Sequence, residues 1–285
     1  MKRNEFRFFE RLRVRWAEID AQKIVFNGHY LTYFDTAVAG YWRALALPYA
    51  QSMAQLGGDL YVRKATFEYE ASAVYDDAID VGIRCARLGT SSILFTAAVF
   101  RREQLLVGGE LVYVFADPAT QRSQPVPGAL REVLQSFEAG EAMLEVRTGG
   151  RDALGADALP LRRAVFVDEQ GVPSELEADG HDDAATHAVA YNRLGLALAT
   201  GRLMEREPGV AQIGRMAVLS GMRSGGIGRA VLDVLLEAAR ARGCREIFLH
   251  AQTSAAPFYR RAGFVESGAP YEEAGIEHVD MARLL

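Results

Sequence analysis

The chain has 285 residues and a formal net charge of −5 at pH 7, and 49% of its residues are hydrophobic. This composition is typical of a soluble globular protein of about two domains. No run approaches the length of a membrane-spanning helix, and the N-terminal segment lacks the apolar stretch of a signal peptide. Residues 1–140 carry 16 basic and 16 acidic side chains and residues 141–285 carry 16 and 21, so neither half has the positive charge that binds nucleic acid. The cysteines Cys85 and Cys244 are expected to be buried thiols in a reducing cytoplasm.

The first half predicts one long helix followed by an antiparallel meander, an α+β pattern. Residues 11–17 are strand-like, and aromatic and apolar side chains then recur at helical spacing from His29 to Ala46, with Pro48 closing the helix. The strand-like runs that follow are rich in Val, Ile, Phe and Tyr, at 59–69, 78–88, 92–102 and 105–116. A turn-rich segment and a short amphipathic segment at 129–138 complete this half.

The second half alternates helix and strand, and the boundary falls near 138–142. We therefore expect two domains, residues 1–138 and residues 142–285. The predicted helical segments are 161–166, 227–242 and 255–262. The predicted strands are 142–146, 186–192, 195–203, 211–219, 246–251 and 277–284.

Asp20 lies nine residues before His29, where the predicted long helix begins. A carboxylate beside a helix N-terminus suits thioester hydrolysis, because exposed N–H groups polarise the carbonyl while the carboxylate attacks it or activates water. The alternative is that Asp20 only shapes a turn.

The segment RVRWAEIDAQKIVFNGHYLTYFD at 13–35 and the patterns that follow it resemble acyl-CoA thioesterases of the hotdog fold, of the 4-hydroxybenzoyl-CoA thioesterase type, over about residues 8–130. The resemblance implies a long central helix wrapped by an antiparallel sheet, and at least a homodimer, because hotdog domains build their sites between paired subunits. It makes Asp20 the nucleophile or general base and places polarising N–H groups near Phe26 to Gly28. It also places one loop beside the CoA chain, namely Thr90, Ser91 and Ser92.

One position departs from that pattern. Many relatives have glycine three residues after the catalytic Asp, and this chain has Lys23 there. If the turn needs a positive φ, lysine costs about 1 kcal/mol or more. Either the loop differs, or Lys23 reaches a phosphate of CoA.

In the second half, a glycine-rich turn stands between a strand and a strong helix. The strand runs from Gln212 to Leu219, and the helix from Ile227 has an apolar stripe and ends at Gly243. Glycines let the backbone approach a phosphate, and the free N–H groups of a helix start attract it. Arg223 adds a fork of donors. The alternative is a plain helix-entry turn.

Several motifs in order resemble N-acetyltransferases of the GNAT superfamily, in their ElaA-like branch, over about residues 142–285. They are Arg-x-x-Gly-x-Gly at 223–228, FVDEQGVP at 166–173, IGRMAVL at 213–219, LHAQ at 249–252, AAPFYRRAGF at 255–264 and EEAGIEHVDM at 272–281. The resemblance implies an α/β domain with a mixed sheet splayed at the CoA site, and Tyr259 as general acid to the leaving thiolate. It implies that the main chain of Met216, Ala217 and Val218 pairs with the pantetheine arm. It also implies a pyrophosphate site formed by Arg223, Ser224, Gly225, Gly226, Ile227 and Gly228.

The general base of this half stays open among Glu169, Asp182, His187, His250 and His278. Between Arg163 and Arg193 there are seven acidic residues and no Lys or Arg. This run is either a solvated surface loop or an acidic mouth that attracts a cationic amine. The spacing of its histidines matches no recognised ligand set, so no metal is expected.

Three hypotheses follow. The first is a cytoplasmic bifunctional enzyme that hydrolyses acyl-CoA thioesters in one half and transfers an acetyl group from acetyl-CoA to a small-molecule or peptide amine in the other. The second keeps the transferase and makes the hotdog half a dimerisation and acyl-CoA-binding module, motivated by Lys23. The third is a non-catalytic acyl-CoA sensor.

Overall fold

The computed structural model describes residues 1–285, which divide into two compact units, Met1–Met143 and Leu144–Leu285. None of the helices combines the length and the apolar character needed to cross a membrane. The thiols of Cys85 and Cys244 are free, and both residues are half-buried rather than buried.

The first unit contains a five-stranded, wholly antiparallel sheet in the order β1-β3-β4-β5-β2. Its long helix is α1, which buries an aromatic face against the sheet: the Tyr41 and Phe95 rings lie 5.6 Å apart and the Phe34 and Phe67 rings 4.8 Å apart. The strands are β1 (Phe8–Arg13), β2 (Asp59–Tyr69), β3 (Ala78–Leu88), β4 (Ser92–Arg101) and β5 (Gln104–Ala116). The helices are α1 (His29–Ala44), α2 (Tyr49–Leu56) and α3 (Gly128–Ala139). A long central helix against an antiparallel sheet confirms the predicted hotdog architecture.

The end of α1 differs from the prediction. The helix stops at Ala44, and the chain turns through Ala46, whose φ is +56°. Pro48 does not close this helix. It caps α2, where its fixed φ of −63° suits a helix start.

The second unit contains a seven-stranded sheet in the order β11-β12-β10-β9-β8-β7-β6. Only β9 and β10 are parallel, so the sheet is mixed. Its strands are β6 (Leu144–Gly149), β7 (Thr186–Asn192), β8 (Ala197–Glu207), β9 (Val210–Val218), β10 (Glu246–Gln252), β11 (Val265–Glu273) and β12 (Ile276–Leu284). Its helices are α4 (Arg151–Arg162), a π-helical continuation (Arg163–Glu169), α5 (Ser174–Glu177), α6 (Ile227–Ala241) and α7 (Ala256–Arg261).

The two parallel strands separate part-way along their length. β9 pairs with β10 only from Val210 to Gln212, although both strands continue well beyond that point. On its other side β9 stays paired with β8 as far as Val218, with a register shift at Arg215, whose φ is +51°. A bulge bends the strand and increases its twist, so β9 diverges from β10. The result is the splayed sheet that the resemblance to GNAT proteins predicted.

Candidate functional sites

The turn between β9 and α6 presents main-chain donors that the chain itself does not use. The N–H groups of Ser224, Gly225 and Gly226 have no acceptor within the chain, and the first turn of α6 adds its own unpaired N–H groups. Gly226 has a φ of +82°, which a glycine adopts without penalty. A Cβ at Gly228 would lie 3.2 Å from a methyl group of Val218, so this residue is also small for packing reasons. The geometry is that of an anion site at a helix N-terminus.

Arg223 does not point freely into this site. Its guanidinium makes two hydrogen bonds to the Glu169 carboxylate, at 2.6 and 2.7 Å, and a third to the Val218 carbonyl at 3.1 Å. The hydrogen bonds and charge of Arg223 hold the pKa of Glu169 below its usual range. Arg223, which is expected to bind pyrophosphate, is thus paired with Glu169, one of the candidate general bases.

A cleft of about 730 Å³ opens beside this turn. It reaches from the glycine-rich turn to α7 and lies between the separated ends of β9 and β10. Most of the residues expected at the CoA site line it, namely Met216, Val218, Arg223, Ser224, Gly226, Ile227, Gly228 and Tyr259. Gly225 lies within the same turn, while the buried Ala217 side chain packs in a cluster with Leu161 and Val165.

Sequence reasoning missed part of the lining. Gln170 and Gln252 face the cleft and are joined by a hydrogen bond of 2.9 Å. Arg229 and Arg261 add two further cations near the glycine-rich turn. Both glutamines belong to the quoted FVDEQGVP and LHAQ segments, so the signal was present but no role had been drawn from it.

Tyr259 lies on α7 with only 8% of its surface exposed. Its ring packs edge-on against Phe258 and Phe264. Burial raises the pKa of the Tyr259 hydroxyl above its usual range. The phenol therefore keeps its proton at neutral pH, which is the state required of a general acid.

The acidic run is only in part a solvated loop, since Asp168, Glu169, Glu175 and Asp183 are exposed. Its central members, Glu177, Asp179 and Asp182, bind arginines that are distant in sequence, and Asp182 and Glu177 are both bound by Arg162, whose side chain is fully buried. The full acid–arginine network comprises Arg162, Glu177, Asp179, Asp182, Arg202 and Arg215.

The same network encloses another candidate base. His187 is fully buried, and its Nε2 lies 3.1 Å from the Asp182 carbonyl. Neither His187 nor Asp182 lines the cleft. These two residues are therefore separated from the place where an acceptor would bind.

In the first unit, Asp20 forms a tight turn. Its Oδ1 accepts the Gln22 N–H at 2.8 Å, and its carbonyl accepts the Lys23 N–H at 3.0 Å. Lys23 has a φ of +63°. The turn therefore has the left-handed conformation that glycine would favour, and lysine adopts it. Oδ2 of Asp20 makes no hydrogen bond within the protein.

The start of α1 offers two of the expected N–H donors. The Phe26 N–H is already used, since it donates to the Glu18 carbonyl at 2.9 Å. The N–H groups of Asn27 and Gly28 have no acceptor in the chain. Glu18 itself was not anticipated: its buried carboxylate accepts the Tyr33 hydroxyl at 2.6 Å and holds this segment in place.

The loop Thr90 to Ser92 is far from Asp20 within one chain. The Asp20 turn is tied to Ala73 through Val25, at the end of the unit where β3 begins. The loop follows the other end of β3, and eleven strand residues span about 30 Å. One chain therefore does not bring these predicted site residues together.

Comparison with known proteins matches both halves. A family model described as an acetyltransferase (GNAT) domain matches residues 148–285, and the thioesterase superfamily model matches residues 22–107, beginning just after Asp20. YjcF of Bacillus subtilis, named as an uncharacterised N-acetyltransferase, is 36% identical over 128 residues, which are 45% of this chain and 90% of that protein. A protein of Aquifex aeolicus named as a "putative esterase" is 31% identical over 96 residues, which are 34% of this chain and 74% of that protein.

Among solved structures, an acyl-CoA N-acyltransferase from Pseudomonas aeruginosa is 32% identical and covers 49% of this chain and 99% of its own, with a TM-score of 0.45. The two family models and the two relatives show that the chain belongs to two families, with a thioesterase-superfamily domain of the hotdog fold in its first half and a GNAT acetyltransferase domain in its second.

Proposed function

We propose that this protein is a cytoplasmic bifunctional enzyme of CoA thioesters. Its second half transfers an acetyl group from acetyl-CoA to an amine, and its first half hydrolyses an acyl-CoA thioester to a carboxylic acid and free CoA. The observation that carries the proposal is the cleft between β9 and β10, which joins an anion-binding turn to a buried, protonated Tyr259.

The transferase chemistry follows from the order of groups along that cleft. The N–H groups at the start of α6 hold the pyrophosphate, while the main chain of Met216 to Val218, which does not pair with β10, holds the pantetheine arm. This places the thioester near Tyr259. The amine attacks the acetyl carbon directly, the C–S bond breaks, and the leaving thiolate takes the phenolic proton.

The hydrolase chemistry needs two copies of the chain. Asp20 offers a carboxylate oxygen, and the N–H groups of Asn27 and Gly28 suit a developing oxyanion. The loop that would hold the CoA chain lies at the opposite end of β3, so a second subunit supplies it. Exposed aromatic side chains flank Asp20 and Ala73 along the chain, namely Trp16, Phe26, Tyr69 and Tyr75, and exposed side chains of this kind favour a protein interface.

The test is a steady-state screen of acyl-CoA thioesters with and without primary amines, following release of free thiol. Amine-dependent release that Tyr259→Phe reduces supports the transferase, and amine-independent release that Asp20→Asn abolishes supports the hydrolase. If no amine ever accelerates thiol release from acetyl-CoA, the transferase assignment fails.

A second candidate makes the first half a dimerisation and acyl-CoA-binding module. It is favoured by the Asx turn at Asp20, in which one carboxylate oxygen already serves the backbone. Thioester hydrolysis that is unchanged by Asp20→Asn, or absent in the wild type, would select this candidate.

A further inference from the structure

The structure narrows the five candidates for the general base of the transferase. Glu169 binds Arg223 at the pyrophosphate end of the cleft, whereas Asp182 belongs to the acid–arginine network, which also encloses His187. The ring of His278 stacks on a tyrosine and its Nδ1 bonds a main-chain carbonyl two residues away. His250 differs from these four in both position and bonding.

His250 lies where the sheet opens. Its strand pairs with β9 only as far as Phe248, so His250 is the first side chain on its face beyond the fork. Side chains alternate along a strand, so His250 shares a face with Gln252, about 7 Å further on. The Gln252 side chain lines the cleft. His250 does not itself line the cleft; it lies two residues before Gln252, which does, and 41% of its side chain is exposed.

The bonding of His250 determines which ring nitrogen can accept a proton. Its Nδ1 lies 2.7 Å from Oδ1 of Asp280 and 2.6 Å from the Tyr271 hydroxyl, and that hydroxyl donates to the same Asp280 oxygen at 2.9 Å. Burial, followed by Asp280, raises the pKa of Tyr271, so its single proton stays with it and is directed at Asp280. The contact between imidazole and carboxylate therefore needs a proton on Nδ1. In the neutral ring this leaves Nε2 as the acceptor.

The other groups around the ring do not compete for Nε2. From β12, Asp280 binds Nδ1 and His278 stacks on Tyr271 instead. The Phe248 ring packs edge-on against the His250 ring. Arg206, from β8, stacks on Phe248 and not on His250, with its guanidinium 3.8 Å from the centre of the Phe248 ring. The imidazole is therefore oriented by one carboxylate and one phenol.

We propose that His250 is the general base of the acetyl transfer, with Asp280 and Tyr271 as its positioning residues. This inference rests on the proposed transferase function. As the amine nitrogen bonds to the acetyl carbon, its surplus proton passes to Nε2 of His250 and the thiolate takes the proton of Tyr259. Solvent then removes the proton from His250 and returns one to Tyr259, so the cycle closes without an acyl-enzyme.

The test compares the wild type with His250→Gln and Asp280→Asn, using acetyl-CoA and the best primary amine from the screen. We expect kcat to fall by about 100-fold or more for His250→Gln, with KM for acetyl-CoA unchanged and the acidic limb of the pH–rate profile lost. Asp280→Asn should lower kcat by about tenfold or more, because amide and carboxylate select different tautomers. The matched control is His181→Gln, an exposed histidine in the loop between α5 and β7.

Two further measurements separate the possible failures. Calorimetric binding of CoA and the thermal midpoint show whether each variant is folded, and ¹⁵N shifts of the His250 ring report whether Nδ1 carries the proton. A wild type that transfers acetyl while His250→Gln keeps its kcat and pH profile would overturn the role of His250 alone. A wild type that acetylates no amine would overturn the transferase, and this inference with it.

Discussion

Lys23 shows how one residue can depart from a family pattern without changing the backbone. Its φ of +63° is the conformation that glycine takes at no steric cost. The sequence allowed two explanations for Lys23, a different loop or a contact with CoA. The left-handed turn argues against a different loop. What remains is whether the lysine side chain itself binds a phosphate of CoA.

We predict that Lys23→Gly stabilises the first unit by up to about 1 kcal/mol, since relief of the left-handed strain exceeds the extra unfolded-state entropy of glycine. Urea unfolding followed by tryptophan fluorescence measures this. Lys23→Ala is the control and should not stabilise, because alanine keeps the Cβ. A raised KM for acyl-CoA in both variants would assign the lysine to the phosphate, and an unchanged KM would exclude that role.

Arg223 and Glu169 form a contact that CoA has to replace. Both side chains are about 40% exposed, so the pair is weak and can exchange for a pyrophosphate. We predict that Glu169→Gln lowers KM for acetyl-CoA by about 2- to 5-fold, the strength of such a pair, because the neutral amide no longer competes for Arg223. Asp168→Asn is the control, since Asp168 approaches only Arg163. An unchanged KM with a lost kcat would show instead that Glu169 takes part in proton transfer.

At the scale of secondary structure, composition and period predicted different elements. The strands β2 to β5 match closely because they are rich in Val, Ile, Phe and Tyr and are separated by turn residues, and α6 matches because its apolar residues recur with the helical period. β11 was missed because it is exposed along nearly its whole length and shows no alternation. Most of α4 was missed because Gly155 and Pro160 interrupt its pattern.

The acidic run between Arg163 and Arg193 could not be interpreted from its own residues. Its partners Arg202 and Arg215 come from β8 and β9, and only the folded sheet brings them to the carboxylates. In the same way, His250 could be distinguished from the other four candidate bases only when the register of β10 with β9 and β12 was known.

The acid–arginine network predicts an acid-sensitive second unit. Burial alone would raise the pKa values of Asp179 and Asp182, but hydrogen bonds and charges from the arginines hold both below their usual range. Carboxylates with lowered pKa values stabilise the fold above the pKa of the unfolded chain, about 3.9, and lose that contribution as the pH falls below it. We expect the free energy of unfolding of residues 144–285 to decrease steadily below about pH 5.

Removing one arginine tests this directly. Arg162→Met should destabilise the second unit by about 3–5 kcal/mol at pH 7, because it removes the close partner of the buried Glu177 carboxylate and one of the two partners of Asp182, and the variant should lose less stability in acid. Trp16 and Trp42 both belong to the first unit. The loss should therefore appear in far-UV circular dichroism and not in tryptophan fluorescence. A transition that moves equally in both signals would contradict a network confined to the second unit.

At the scale of the whole molecule, the two halves differ in whether a single chain brings the predicted site residues together. The cleft of the GNAT domain is lined entirely by residues of one unit. The predicted thioesterase residues, by contrast, lie at opposite ends of β3 in the same chain. An assembly with two-fold symmetry solves this problem, since each copy then supplies the end that the other lacks.

Subunit mixing tests that assembly through the hydrolase activity. Asp20→Asn removes the carboxylate, and Thr90→Trp fills the loop at an exposed side chain, so each variant alone should be inactive in thioester hydrolysis. After unfolding and refolding as an equal mixture, half of the dimers pair one copy of each, and one of their two sites is intact. We expect roughly a quarter of wild-type hydrolysis to return. Amine acetylation should stay at the wild-type level in both variants and in the mixture, and wild type taken through the same unfolding and refolding should regain its hydrolysis, which shows that both units refold. If hydrolysis stays absent from the mixture while the refolded wild type has regained it, both groups act within one chain and the shared site is wrong.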